Sequence, residues 1–247
     1  MGWVGTFVLG CGYAAYFGKA GDNETHQHAA IQLVQSWTSV VTVEDEKGRT
    51  TSAKRLLIHP QTLHALHAIS DVFSIYAEPQ TELGRLLMGE IGSGGISVFE
   101  ESNGLLFQAD DREQILDQLD TLALKPSTEV DVRLLNAMSL LNQPDADPSI
   151  SRVARECGIP VSTLRFLAKR DLGLPLSTWL IWRKLDRAAK ALSTGRNLTD
   201  AAYLGGFSDQ AHLCRVMKRM FGITPGAAAS ALNWQSRDKA SAFSRQF

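Results

Sequence analysis

The sequence predicts an α+β protein of two parts, a β-rich N-terminal half and an all-helical C-terminal half. Charge is the first sign. Met1 to Pro126 holds 8 Lys+Arg and 16 Asp+Glu, and Ser127 to Phe247 holds 17 and 10. A net of −8 is therefore joined to a net of +7, which the total of −1 conceals. Texture is the second: short β-like runs give way near Phe107 to apolar residues at helical spacing. The third is a sequence motif that occurs twice in the basic half. Length permits two small domains, and a 44% hydrophobic content supplies a core for each.

The opening "MGWVGTFVLGCGYAAYFG" is apolar, but no Lys or Arg precedes it and Gly2, Gly5, Gly10, Gly12 and Gly18 interrupt it. A targeting segment or membrane helix is uninterrupted, so this stretch reads as glycine-punctuated β-structure in a cytoplasmic protein. "AAIQLVQSW", "SVVTVED", "KRLLIHP", "FSIYAE" and "GGISVFE" follow, rich in Val, Ile, Leu and aromatics and divided by Gly, Pro, Asp or Asn. Many short strands at close spacing predict a sandwich or barrel. In "DDREQILDQLDTLAL" the residues Ile115, Leu116, Leu119 and Leu122 share a helical face opposite acidic residues. That helix packs on its own barrel or on a second subunit. "LKPSTEV" is the linker. The predicted domains are 1–124, 125–235 and a tail, 236–247.

Within the basic half Ser149 precedes Ile150, and 48 residues later Asn197 precedes Leu198. Both are N-cap residues, whose side-chain oxygens take an unpaired N–H of the first turn. At the same offset Ala154 matches Ala202, Gly158 matches Gly206 and Ile159 matches Phe207; at 49, Leu164, Lys169, Arg170 and Gly173 match Leu213, Lys218, Arg219 and Gly222. In each unit a short helix ends at a glycine free to turn left-handed, and a second helix begins a few residues later. The alanine leaves room for the helices to cross. This is a helix-turn-helix pattern, occurring twice. Between the units "STWLIWRKLDRAAKALS" carries Trp182, Leu185, Ala189 and Leu192 on one face and Arg183, Arg187 and Lys190 on another, a helix fit to link them.

From Ser149 to Pro225, above all in "RKLDRAAKALSTG" and "GGFSDQAHLCRVMKRMFGITP", the sequence resembles the AraC/XylS family of bacterial transcription regulators. The resemblance implies a DNA-binding domain whose two recognition helices enter successive major grooves. By position, Ser162, Thr163, Arg165 and Phe166 of the first helix, and Gln210, Ala211, His212 and Arg215 of the second, would face bases. Lys169, Lys218 and Arg219 would lie by phosphates. Arg215 suits guanine and Gln210 suits adenine. Leu164, Phe207, Leu213, Met217 and Phe221 read as core. Ala168 and Phe166 depart from the family pattern, as does "GAAAS" after Pro225, so the second unit is expected to carry more of the affinity.

Five of six histidines lie in the acidic half. "THQH" and "IHPQTLH", spanning Gly12 to Glu100 with their flanks, resemble a degraded cupin, a small barrel that in such regulators serves as sensor or dimerisation module. His26, His28 and His64 are the candidate effector or metal ligands, with Gln32 near the place of the usual cupin glutamate. Three readings follow: a small-molecule pocket, which is favoured; a metal site; or a dimerising barrel with hydrogen-bonded histidines. The expected function is a sequence-specific transcriptional regulator, an activator or repressor, controlled by a small effector in the barrel. It is expected to be no enzyme, to have no catalytic residue, cofactor or resident metal, and no membrane contact. Double-stranded DNA, the effector, a second copy and RNA polymerase are its expected partners. The alternatives are a metal-dependent cupin enzyme with an appended DNA-binding domain and a non-specific architectural DNA protein. Cys11, Cys157 and Cys214 are scattered and odd in number, which fits a reducing compartment rather than a disulfide framework.

Overall fold

A computed structural model describes residues 2–89, 95–99, 111–143, 149–224 and 232–237. The architecture is mixed α and β, with sheets in the N-terminal region and helices in the C-terminal region. Strands β1 (Val4–Leu9), β2 (Tyr13–Ala20), β3 (Ile31–Gln35), β4 (Val41–Asp45), β5 (Thr50–Ala53), β6 (Arg55–Ile58), β7 (His64–Leu66), β8 (Ile69–Ala77) and β9 (Ile96–Val98) precede the helical region, with helix α1 (Glu82–Gly89) before β9. Helices α2 (Arg112–Ala123), α3 (Val132–Leu141), α4 (Ile150–Glu156), α5 (Val161–Leu172), α6 (Leu176–Ser193), α7 (Leu198–Gly205) and α8 (Gln210–Phe221) follow, and a last strand β10 (Leu232–Ser236) ends the described chain.

The strands form a seven-stranded sheet in the order β10-β1-β2-β8-β3-β6-β9 and a three-stranded sheet in the order β5-β4-β7. Strand residues alternate between faces, so the large sheet presents two apolar surfaces. Ile31, Leu33, Phe73 and Ile75 pack beneath α1 and α2 through Leu83, Leu87, Ile115, Leu116 and Leu119. The acidic helix α2 therefore spends its apolar stripe on its own sheet rather than on a second subunit. Tyr16, Val34, Leu56, Ile58 and Val72 face the small sheet through Val41, Val43 and Leu66. At one end that second face turns instead to the helices, where Tyr76 joins Leu164, Leu172, Trp179 and Trp182 in one core.

The segment between the halves is tied down. Glu82 N–H donates to Lys125 O (2.9 Å) and Ser127 N–H to Gln80 O (2.8 Å). Two further features had no counterpart in the sequence reading. Helix α1 was not anticipated, and β10 returns from the helical half to pair in parallel with β1, Phe7 opposite Trp234. Just beyond it Arg237 contacts Glu113, Asp117 and Asp120 of α2, at 2.6, 2.6 and 3.1 Å. Among the described residues no helix is long and apolar enough to cross a membrane.

Candidate nucleic-acid interface, interdomain cavity and histidine cluster

The two repeated units fold alike. Ser149 caps α4 by accepting from Arg152 N–H, and Asn197 caps α7 by accepting from Asp200 N–H. Gly158 and Gly206 take φ of +66° and +79°, the left-handed turn that their Cβ-free backbone permits. The same bond then closes both turns: Ile159 N–H to Ala154 O at 3.0 Å, and Phe207 N–H to Ala202 O at 2.9 Å. Ala154 and Ala202 are both buried, which is why no larger residue stands there. Gly173 and Gly222, at +73° and +68°, end the second helices. The units differ at the second N-cap: Asp209 accepts from His212 N–H before α8, whereas Pro160 gives α5 no side-chain cap. That bond holds the Asp209 carboxyl below its ordinary range. Helix α6 joins the units, with Trp179 and Trp182 in the core of the first and Leu185, Ala188 and Ala191 in that of the second.

Of the residues expected to meet DNA, Ser162, Arg165, Phe166 and Lys169 are exposed on α5 and Thr163 is half-buried. Phe166 is 61% exposed, an aromatic on an otherwise polar face. On α8 Gln210, Ala211, Arg215, Lys218 and Arg219 are exposed and His212 is half-buried, its Nδ1 3.1 Å from Ser208 Oγ. Leu164, Phe207, Leu213, Met217 and Ala168 are buried, and Phe221 is partly so. Lys218 is not free: its Nζ lies 2.8 Å from Glu24 Oε1 of the N-terminal half. Around it Glu24 N–H donates to Gly222 O (3.2 Å), Gln27 N–H to Arg219 O (3.3 Å) and Asn23 Nδ2 to Phe221 O (3.4 Å). The segment 23–27 thus clamps the C-terminal end of α8. The supposed basic face of α6 is also a contact surface. Arg183 pairs with Glu78 at 2.5 Å and with Asp186 at 3.3 Å, and is nearly buried.

Between the large sheet and helices α6 and α8 lies a cavity of about 60 Å³. Trp3, Phe7, Tyr13, Tyr76, Trp182, Phe221 and Trp234 are its aromatic residues, and Glu78 and Asp186 its carboxylates. None of the sequence motifs pointed to it, because its walls come from both ends of the chain.

His26, His28 and His64 do come together. All three are buried, and one ring nitrogen from each lies within 4.8 Å of the others. Each Nδ1 faces a backbone carbonyl: His26 to Glu24 O (3.0 Å), His28 to Ala30 O (2.8 Å), His64 to Thr62 O (2.9 Å). A carbonyl only accepts, so every Nδ1 carries the proton and every Nε2 keeps a lone pair. Gln32 Oε1 sits 3.0 Å from His28 Nε2 and 3.2 Å from His64 Nε2, and Gln32 Nε2 donates to Tyr76 Oη. Burial, then the neighbouring His28, pushes His26 down to about 3; His28 and His64 are lowered chiefly by burial. Neutral rings with their Nδ1–H groups fixed are the form that ligates a metal. With the carboxamide of Gln32 turned over, its NH₂ would donate to both Nε2 atoms and the Tyr76 hydroxyl to its oxygen, satisfying the cluster without an ion.

A helix-turn-helix domain family matches residues 153–231. The virulence regulon transcriptional activator VirF of Yersinia enterocolitica and the thermoregulatory protein LcrF of Yersinia pestis are each 31% identical over 80 residues. The match covers 32% of this chain and 30% of either relative, so it speaks for the helical half. ToxT from Vibrio cholerae superposes with a TM-score of 0.57 over 89% of this chain and 98% of its own, at 10% identity. Its form with bound unsaturated fatty acid gives 0.56 over 94% and 98%. At that identity the likeness is one of fold, and it spans both halves. The residues 153–231, which carry the glycine-turned helix pairs, are thus similar to a helix-turn-helix domain family and to the regulators VirF and LcrF.

Proposed function

We propose that the protein is a sequence-specific DNA-binding transcription regulator, in which α4–α5 and α7–α8 are two helix-turn-helix units and α5 and α8 read successive major grooves. The twofold recurrence of cap, buried alanine, left-handed glycine and exposed polar helix carries this reading. A lone helical hairpin needs none of that agreement. On this reading Ser162, Thr163, Arg165, Phe166, Gln210, Ala211, His212 and Arg215 face bases, and Lys169, Lys218 and Arg219 face phosphates. The boundaries 1–124 and 125–235 divide a cupin-like sensor from the DNA-binding domain.

The sensor acts through the interface. A free volume near 60 Å³ is well under the roughly 300–1,000 Å³ of a ligand site. An effector that enters must therefore push the sheet away from α6 and α8. Differential affinity for the open and closed arrangements is what lets a ligand shift a regulator. That ToxT holds a fatty acid and that VirF is an activator supports effector control and activation; an activator of this kind would take RNA polymerase as its partner. The test is selection of fragments from sheared genomic DNA by the full chain at near-physiological salt. Two contacted blocks about one helical turn apart are expected. One block leaves only one unit reading DNA. No enrichment by the full chain or by the segment from Ser127 onward sinks the proposal.

The histidine cluster favours a second reading, a cupin that holds a divalent metal. Imidazole ligands suit zinc and its neighbours. Gln32 occupies the fourth direction and all four side chains are buried, so such a site lacks the open position that turnover requires. A metal there would brace the fold, and an enzyme is the weaker reading.

A further inference from the structure

The cavity between the sheet and helices α6 and α8 has a composition that selects among effectors; the inference rests on the effector-controlled reading above. Aromatic side chains reach it from several elements, among aliphatic ones such as Leu9, Leu185, Leu192 and Met217. Trp3 precedes β1, Phe7 lies on β1, Tyr76 on β8, Trp182 on α6, Phe221 on α8 and Trp234 on β10. Phe7 and Trp234 have ring centroids 5.0 Å apart, and Trp182 and Phe221 5.7 Å. Charge on the walls is already spent. Glu78 and Asp186 both pair with Arg183, and Asp186 also with Lys190 at 3.4 Å. Among the described lining residues there is no Lys or Arg at all. A carboxylate entering here would face two acids with no cation to meet it, and burying it unpaired is costly. Asp186 Oδ2 keeps no hydrogen bond, but its ion pairs with Arg183 and Lys190 leave an ammonium no unpaired acid.

Hydrogen-bonding capacity, by contrast, is left over. The indole Nε1 atoms of Trp3 and Trp234 are buried with no hydrogen-bond partner. Buried indole N–H groups are normally paired, so each is a donor waiting for an acceptor. Neither tyrosine hydroxyl meets them: that of Tyr13 donates to Asp120 (2.7 Å) and that of Tyr76 accepts from Gln32.

We propose that this cavity binds a neutral, planar aromatic compound bearing a hydrogen-bond acceptor, and that it rejects carboxylates. The ring stacks among Phe7, Trp182, Phe221 and Trp234, and the acceptor takes the Trp234 or Trp3 N–H. The sheet and α6 part to admit it. The ligand class thereby differs from the fatty acid that ToxT carries, even though the folds agree.

The experiment uses a matched series with one ring system. The full chain is titrated with acetylnaphthalene, naphthalene and naphthoate, and with oleate as a long-chain acid, following tryptophan fluorescence and heat. Acetylnaphthalene should bind at least ~10-fold tighter than naphthoate, because an unpaired carboxylate is costly to bury. It should also bind several-fold tighter than naphthalene, and Trp234→Phe, which removes the N–H and keeps a ring, should erase that second margin. Ala189→Leu, which fills the space from α6, should weaken every neutral ligand. Naphthoate or oleate binding as tightly as acetylnaphthalene overturns the proposal, as does failure of the neutral compounds to bind. So does a margin unchanged in a folded Trp234→Phe when Trp3→Phe leaves it unchanged too. DNA selection without ligand is scored separately, so a failed ligand class does not count against the DNA-binding reading.

Discussion

Gly222→Ala separates the local geometry of a helix end from the contact between the two halves. Gly222 ends α8 at φ +68°, and Gly158 ends the turn after α4 at φ +66°. An alanine in the left-handed region costs about 1–2 kcal/mol at either place. The surroundings differ. A Cβ at Gly158 meets nothing within 4 Å, whereas one at Gly222 comes under 3.0 Å from Glu24 O, Glu24 N and Asn23 Cβ. Two of those atoms are backbone and cannot swing aside, so the clamp must open. Opening forfeits Glu24 N–H to Gly222 O and Gln27 N–H to Arg219 O, together about 2 kcal/mol at about 1 kcal/mol each. The half-exposed Lys218–Glu24 pair adds little. Gly222→Ala should therefore cost about 3–4 kcal/mol and Gly158→Ala about 1–2. Urea unfolding of both variants measures the difference, provided their slopes match. Amide exchange at Glu24 and Gln27 should speed up in Gly222→Ala alone. Equal destabilisation with unchanged exchange would refute the clamp.

Other consequences are as direct. Arg215→Ala should cost about 1–3 kcal/mol on the preferred DNA site and relax selectivity there; an equal loss on all sequences would assign Arg215 to phosphate instead. Glu24→Gln frees Lys218 for DNA, so the full chain should bind more tightly and its affinity should fall more steeply with salt; an unchanged salt slope would show that Lys218 never reaches a phosphate. Titration with Co²⁺ should give one equivalent with the visible bands of a tetrahedral nitrogen-rich site, and His64→Gln should abolish them; a thiolate band would point to cysteine and exclude the histidine cluster. Asp209 is held below its ordinary value near 3.8 by the His212 N–H it caps, then by Ser208. Its folded value is the lower one, so its contribution is present above that ordinary value and fades as pH falls through the folded value. The stability gap between wild type and Asp209→Ala should narrow on acidification, and a gap constant with pH would mean the cap acts without its charge.

What the sequence disclosed follows from where each feature's cause lies along the chain. The helix pairs were legible because caps, turn glycines and the alanines behind them are local: Ser149, Ala154 and Gly158 lie within ten residues. His26 and His28 announced themselves by spacing, and the small sheet brought His64 to them through the His26–His64 bridge. The cavity was invisible because Trp3 and Trp234 meet only through β1–β10 pairing, and pairing at such separation leaves no periodic trace. Strand β10 itself, "LNWQS", is too short and too polar at Asn233 and Gln235 to read as a strand. Helix α1 was missed because Gly84 and Gly89 argue against helix. Gly84 is kept small by Glu78 O and Pro79, under 3.0 Å from where a Cβ would stand.

The charge asymmetry pointed to a polyanion for the basic half, and the structure adds a second claimant. Lys218 meets Glu24, Arg183 meets Glu78, and Arg237 meets Glu113, Asp117 and Asp120. Each pair runs from the basic half to the acidic one. Arg183, with its side chain 14% exposed, is held by Glu78 and Asp186, and Arg237 is held by three carboxylates. Lys218 is different, because it lies on the exposed face of α8 beside Arg219 and both partners of its ion pair touch solvent. On the proposed DNA-binding reading, a phosphate and Glu24 would compete for one ammonium. On that reading, an effector that parts the sheet from α8 would remove Glu24 from the competition, and by linkage DNA that takes Lys218 would ease the parting. The two events would share a surface, so a regulator working as proposed would need no long-range relay between the N-terminal half and α8.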